Sequence, residues 1–109
     1  MFDRRQWLRN LLGVPMLWAA GARAATLEVE IRDYKFHPAS LTIGVSDSVR
    51  WVNREKRTTH TVLFAGPAGE ESERLFPGDS WQRSFERAGS YAYGCGPHPE
   101  MQGLIVVNP

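Results

Sequence analysis

Leu27, Val29 and Ile31 alternate with Glu28, Glu30 and Arg32, the period-two signature of a strand with one face in a core and one in water. Residues 41–43, 48–53 and 60–64 are short runs rich in β-branched or aromatic side chains, parted by Gly44 and by polar, charged stretches. Each predicts a further strand. Pro77-Gly78-Asp79 signals a turn ahead of a strand over residues 80–85, Ala88-Gly89 precedes another over 90–93, and an apolar run over 103–107 closes the chain. No segment of residues 25–109 carries the 3.6-residue period of an amphipathic helix. The pattern therefore predicts an all-β domain, an antiparallel Greek-key β-sandwich of about seven to eight strands, with Trp51 and Phe85 among its core aromatics. Residues 65–76, with Gly, Pro, Glu70, Glu71 and Glu73, predict a loop with room for a short helical turn. The stretch Asp33-Tyr34-Lys35-Phe36-His37-Pro38 reads as a connection, which leaves His37 exposed.

Residues 1–24 break this pattern. They have a basic start (Arg4, Arg5, Arg9), a short apolar core over residues 11–20, and Ala22-Arg23-Ala24 as a small-x-small cleavage site. The paired arginines followed by Trp7 and Leu8 resemble a twin-arginine export motif, with Sec export the alternative. The apolar core is shorter than the ~20 residues that span a bilayer, and no cysteine near the cleavage site could take a lipid. The expectation is a signal peptide over 1–24, removed on export to the periplasm, and one soluble domain over 25–109 without a permanent membrane anchor. Processing would leave nine basic against eleven acidic residues, a formal −2 in place of the +1 of the whole chain. That balance argues against nucleic acid as a partner.

Export makes the single cysteine informative, because Cys95 can form no internal disulfide. It lies in Tyr93-Gly94-Cys95-Gly96-Pro97-His98-Pro99-Glu100-Met101, which sets a thiolate, an imidazole and a thioether within seven residues. Those are the donors that copper prefers. A mononuclear electron-transfer copper is held by two histidines and a cysteine in a plane, with a weak axial methionine. The loop supplies Cys95, His98 and Met101, and the second histidine must come from elsewhere. His37 and His60 are the two candidates, and His60 is favoured because it opens an apolar strand that can point into the end of the sandwich.

These motifs resemble the cupredoxins, the small blue copper proteins. The features that carry the likeness are Phe36-His37-Pro38, Val49-Arg50-Trp51-Val52-Asn53, His60-Thr61-Val62, Phe76-Pro77-Gly78-Asp79-Ser80, Gly89-Ser90-Tyr91-Ala92-Tyr93 and the segment 95–107. Within the family the short Cys-x-x-His-x-x-Met loop with prolines on both sides of the histidine is most similar to the amicyanin type. The resemblance implies one type 1 copper on His60, Cys95, His98 and Met101. It also implies a monomeric electron carrier, not an enzyme, that cycles between Cu(I) and Cu(II) and docks transiently near His98 on redox-protein donors and acceptors. A copper-delivery protein of the same fold is the alternative function. Two positions depart from the family: Thr61 stands where asparagine commonly ties the ligand-bearing segments together, and Glu100 where an aromatic often precedes the methionine. Three histidines are too few for the additional copper centres of a multicopper enzyme.

Overall fold

The computed structural model describes residues 24–67 and 69–109. Eight strands run in chain order as β1 (Thr26–Arg32), β2 (Lys35–His37), β3 (Ser40–Gly44), β4 (Ser48–Asn53), β5 (Leu63–Phe64), β6 (Ser80–Ser84), β7 (Gly89–Gly94) and β8 (Gln102–Asn108). They form two four-stranded sheets, ordered β2-β1-β4-β6 and β3-β8-β7-β5. The predicted sandwich is present, and no helix occurs among the described residues. The expected export segment, residues 1–24, lies outside the described residues except for Ala24.

The alternation in β1 does what its period requires. Val29 and Ile31 are wholly buried while Glu28 and Arg32 face solvent. Opposite them, Ile105 and Val107 of β8 and Tyr93 of β7 turn inward from the second sheet. Trp51 lies between the layers at 0 % exposure, edge-on to Phe64 and Tyr93 with ring centroids 6.0 and 5.3 Å away. Phe85 is buried as well. Each fully buried aliphatic or aromatic side chain of this kind contributes roughly 1.5–3 kcal/mol of transfer free energy, and burial pushes the Tyr93 hydroxyl up to about 12.

The structure corrects four expectations. The sheets are mixed: β1 pairs parallel with β4, and β3 parallel with β8, while the other pairings are antiparallel. Hydrophobic alternation reports which face a residue takes and says nothing about strand direction. The stretch read as a connection contains β2, which folds back on β1 with Phe36 opposite Ile31. Of the strand predicted over 60–64, only β5 is regular. His60 instead makes an isolated bridge to Leu75, because residues 70–75 return alongside it. Finally, within the predicted loop over 65–76, residues 70–75 run as an irregular partner beside 60–64, and no helix occurs among the described residues. Phe64 N–H donates to Glu70 O at 2.9 Å, Ser72 N–H to Val62 O at 2.9 Å, and Leu75 N–H to His60 O at 2.8 Å.

Candidate metal centre

The described buried polar residues are Asn53, His60, Thr61 and Ser72, and hydrogen bonds tie them into one end of the sandwich. Asn53 Nδ2 donates to the carbonyls of Thr58 and Leu75, each at 2.9 Å, and Asn53 Oδ1 accepts from Glu55 N–H at 2.9 Å. Ser72 Oγ accepts from Val62 N–H at 3.0 Å. Residues 54–62 and 70–75 leave the regular ladder here, so side chains satisfy backbone groups that a sheet would otherwise pair.

His60 is fully buried within this network. Its Nε2–H donates to Glu55 Oε2 at 3.2 Å, which fixes the tautomer and leaves the Nδ1 lone pair free. The same Glu55 oxygen accepts from Tyr34 N–H at 2.8 Å, so the carboxylate is held from both sides. Burial pushes the His60 imidazole below its ordinary value; the Glu55 hydrogen bond and charge oppose that shift and His98 adds to it.

Across from His60, the end of β7 delivers Cys95 at 2 % exposure. The chain then turns: Met101 N–H donates to His98 O at 2.9 Å and Cys95 N–H to Met101 O at 3.3 Å, which returns it to β8. This closed loop brings His98 Nδ1 to 3.6 Å from Cys95 Sγ, the same separation as His60 Nδ1 from that sulfur. The ligand atoms of His60, Cys95 and His98 all lie within 4.8 Å of one another. Bonds of about 2.3 Å to sulfur and 2.0 Å to nitrogen, opened at tetrahedral to trigonal angles, put sulfur and nitrogen roughly 3.5–3.7 Å apart. The donor set therefore fits a single soft or borderline ion without rearrangement. Met101 is buried at 2 % exposure in the same loop. His98 is half-buried, and Pro97, Pro99 and Glu100 beside it are exposed.

His37, the rival candidate, is not in this cluster. It sits on β2, and its Nε2–H donates to the Arg32 carbonyl at 3.1 Å. The brace expected from an asparagine after His60 is made by Thr61, whose Oγ1 accepts from Gly96 N–H at 2.9 Å and donates to Glu71 Oε2 at 2.8 Å. Three residues at the site escaped sequence reasoning. Glu55 lies in a polar, charged stretch between strands, yet its side chain is only 13 % exposed. Tyr34 was assigned to a connection, yet its ring meets His98 and His60 edge-on at centroid distances of 5.0 and 5.6 Å. Glu71 lay in the least patterned segment of the chain. No periodicity or spacing marks any of the three, since tertiary folding brings them in.

Comparison with known proteins agrees with this geometry. The family model for copper-binding proteins of the plastocyanin/azurin family matches residues 23–108. The chain is 33 % identical to amicyanin of Paracoccus denitrificans over 92 residues, covering 82 % of this chain and 70 % of the other. It is also 33 % identical to the chloroplastic plastocyanin of Tetradesmus obliquus over 107 residues, covering 87 % and 73 % of the two chains. Among solved structures, the Cu(I) form of an amicyanin variant superposes with a TM-score of 0.72 at 32 % identity, covering 83 % of this chain and 89 % of that one. A cupredoxin sandwich that converges two imidazoles and a thiol at one end, matched along nearly the whole domain, makes this chain a member of the plastocyanin/azurin family of copper-binding proteins.

Proposed function

We propose that the protein is an exported type 1 copper electron carrier, whose copper would be held by His60, Cys95, His98 and Met101. The observation that carries the reading is the pair of 3.6 Å separations from Cys95 Sγ to the two Nδ1 atoms. When bound there, copper supplies a one-electron Cu(I)/Cu(II) couple. The chain's own part is to keep the donors still. Glu55 holds the His60 ring in the tautomer that presents Nδ1, and Thr61 ties the segment after His60 to the segment after Cys95. Pro97 and Pro99 fix φ on either side of His98. Donors held in this way need little reorganisation between the two oxidation states.

The electron's exit is the exposed side of His98, where Tyr34, at 46 % exposure, and the exposed Pro97 and Pro99 offer a small apolar patch. Such a patch suits transient docking by a redox donor or acceptor, with surrounding charges setting orientation and association rate. Export to the periplasm is supported by the basic start, short apolar core and Ala-Arg-Ala site of residues 1–24. Among the described residues no helix is long and apolar enough to cross a membrane.

Visible absorption and EPR of the domain after stoichiometric Cu(II), with Cys95→Ser in parallel and a ferricyanide–ascorbate cycle on each, test the proposal. An intense thiolate-to-copper band that bleaches, returns and requires Cys95 is the expected outcome. Tight Cu(I) binding without that band would assign the metal as cargo of a delivery protein, and no copper binding would overturn the site.

A further inference from the structure

Thr61 Oγ1 stands at the junction of three segments. It lies 2.8 Å from Glu71 Oε2 and 2.9 Å from Gly96 N. The direction of both bonds is fixed by chemistry: a carboxylate accepts, an amide N–H donates, so the hydroxyl hydrogen faces Glu71 and a lone pair faces Gly96. Thr61 is 3 % exposed, so water offers its oxygen little competition. One hydroxyl thus ties the residue after His60 to the residue after Cys95, and a charged acceptor sets its orientation.

Glu71 is itself held in place by backbone pairing. It bridges Leu63, and its neighbours are fastened by Phe64 N–H to Glu70 O and by Ser72 N–H to Val62 O. From that footing its carboxylate packs against the metal loop so closely that a Cβ at Gly96 would collide with Glu71 Oε2 and press on Thr61 Oγ1. A side chain at 96 would therefore displace the Glu71 carboxylate from the Thr61 hydroxyl.

We propose that Glu71 is a positioning residue for the metal loop. Acting through the Thr61 hydroxyl, it fixes the Gly96 amide and hence the backbone that carries Cys95 between two clamped strands. Loss of the carboxylate frees the hydroxyl to rotate, and the Gly96 N–H loses a well-aimed acceptor. The charge-assisted chain from Glu71 to Thr61 to Gly96 is stronger than a lone hydroxyl bridge, because each bond polarises the next. Only the copper arm of the test below rests on the reading of His60, Cys95 and His98 as a copper site.

Amide hydrogen exchange of Gly96, read by NMR in the metal-free protein, is the primary measurement. Thr61→Val and Glu71→Ala should each speed Gly96 exchange about tenfold, and the double variant should be no faster than Thr61→Val alone. Glu71→Gln, which keeps an acceptor oxygen, should stay near the wild-type rate. In the copper-loaded protein, Glu71→Ala should also change the EPR hyperfine splitting and speed copper loss to a chelator, with Glu71→Gln restoring most of both. Unchanged Gly96 protection in Glu71→Ala overturns the proposal, even where the thermal midpoint falls. So does full additivity with Thr61→Val, which would make the two residues independent. If no variant binds copper, the metal reading fails while the exchange rates still decide the role of Glu71.

Discussion

The two ends of the sandwich are closed by different means. At the metal end, buried side chains do the closing: Asn53 gathers Thr58, Leu75 and Glu55, Thr61 gathers Gly96 and Glu71, and Ser72 gathers Val62. At the far end the chain closes mainly on itself. Ser46 N–H donates to Phe85 O, Phe85 N–H to Asp47 O, and Val45 N–H to Asn108 O, with the half-buried Asp47 carboxylate capping two more amides. A turn needs only backbone partners to be stable, whereas a site for a metal must leave its donor atoms unspent and still hold them in place. Neighbouring polar groups supply that hold, and they are buried to be effective.

Breaking the polar frame should therefore cost most. Asn53→Ala strips acceptors and donors from three neighbours at once in a fully buried position. A loss of about 2–4 kcal/mol in urea unfolding of the metal-free protein is expected, since buried groups left unpaired each carry a desolvation penalty. A loss below about 0.5 kcal/mol, as for an ordinary surface substitution, would mean that the metal end is no more dependent on side chains than the far end.

This asymmetry also explains how much of the molecule was legible in its sequence. The far end and the core are written in periodicity: β1, β4 and β8 show alternation or apolar runs, and Trp51 and Phe85 are buried as their strands predict. Cys95, His98 and Met101 were legible as candidates because one short loop carries all three. His60 emerged only as the better of two histidines, and what distinguishes it from His37 is a tertiary fact, the Glu55 carboxylate on its outer nitrogen. Glu55, Tyr34 and Glu71 stand 5, 26 and 11 positions from His60, and no local pattern marks them as its neighbours. Strand direction stayed hidden for the same reason, because a parallel pair such as β1 and β4 has the same inward and outward faces as an antiparallel one.

Within the metal end itself, the buried and exposed halves should separate by function. Tyr34→Ala removes the exposed ring that meets His98 at 5.0 Å, and is expected to slow electron exchange with a small redox protein about tenfold, ~1.4 kcal/mol. The copper absorption should be unchanged, and Tyr34→Phe should restore the rate. A shifted spectrum would place Tyr34 with the buried half that shapes the ligands. Pro97→Ala is a smaller perturbation. It introduces an N–H two residues beyond Cys95, and if that N–H turns toward the sulfur it withdraws density from the thiolate. The reduced state should gain about 0.5–1.5 kcal/mol, seen as a raised potential in voltammetry. An unchanged or lowered potential with the copper geometry intact would leave Pro97 as a stiffener alone.

The smallest effect belongs to the far end, and it should leave the copper signals untouched. Asp47 accepts from Ala25 N–H and Gly44 N–H, each at 2.9 Å, and these bonds hold its carboxyl below the usual range. A lowered folded value means that the stabilisation is fully present above the unfolded pKa of about 3.9 and is lost as the pH falls through the folded value. Asp47→Asn should therefore be less stable than wild type at neutral pH, and the gap should close on acidification below about pH 4. Urea midpoints of both proteins at neutral and acid pH measure it. In a chain that begins at Ala25 the donor nitrogen is an ammonium, so the gap at neutral pH should be wider there and should shrink with added salt. No gap at any pH would show that Asp47 holds the turn through its backbone carbonyl to Phe85 and not through its carboxylate.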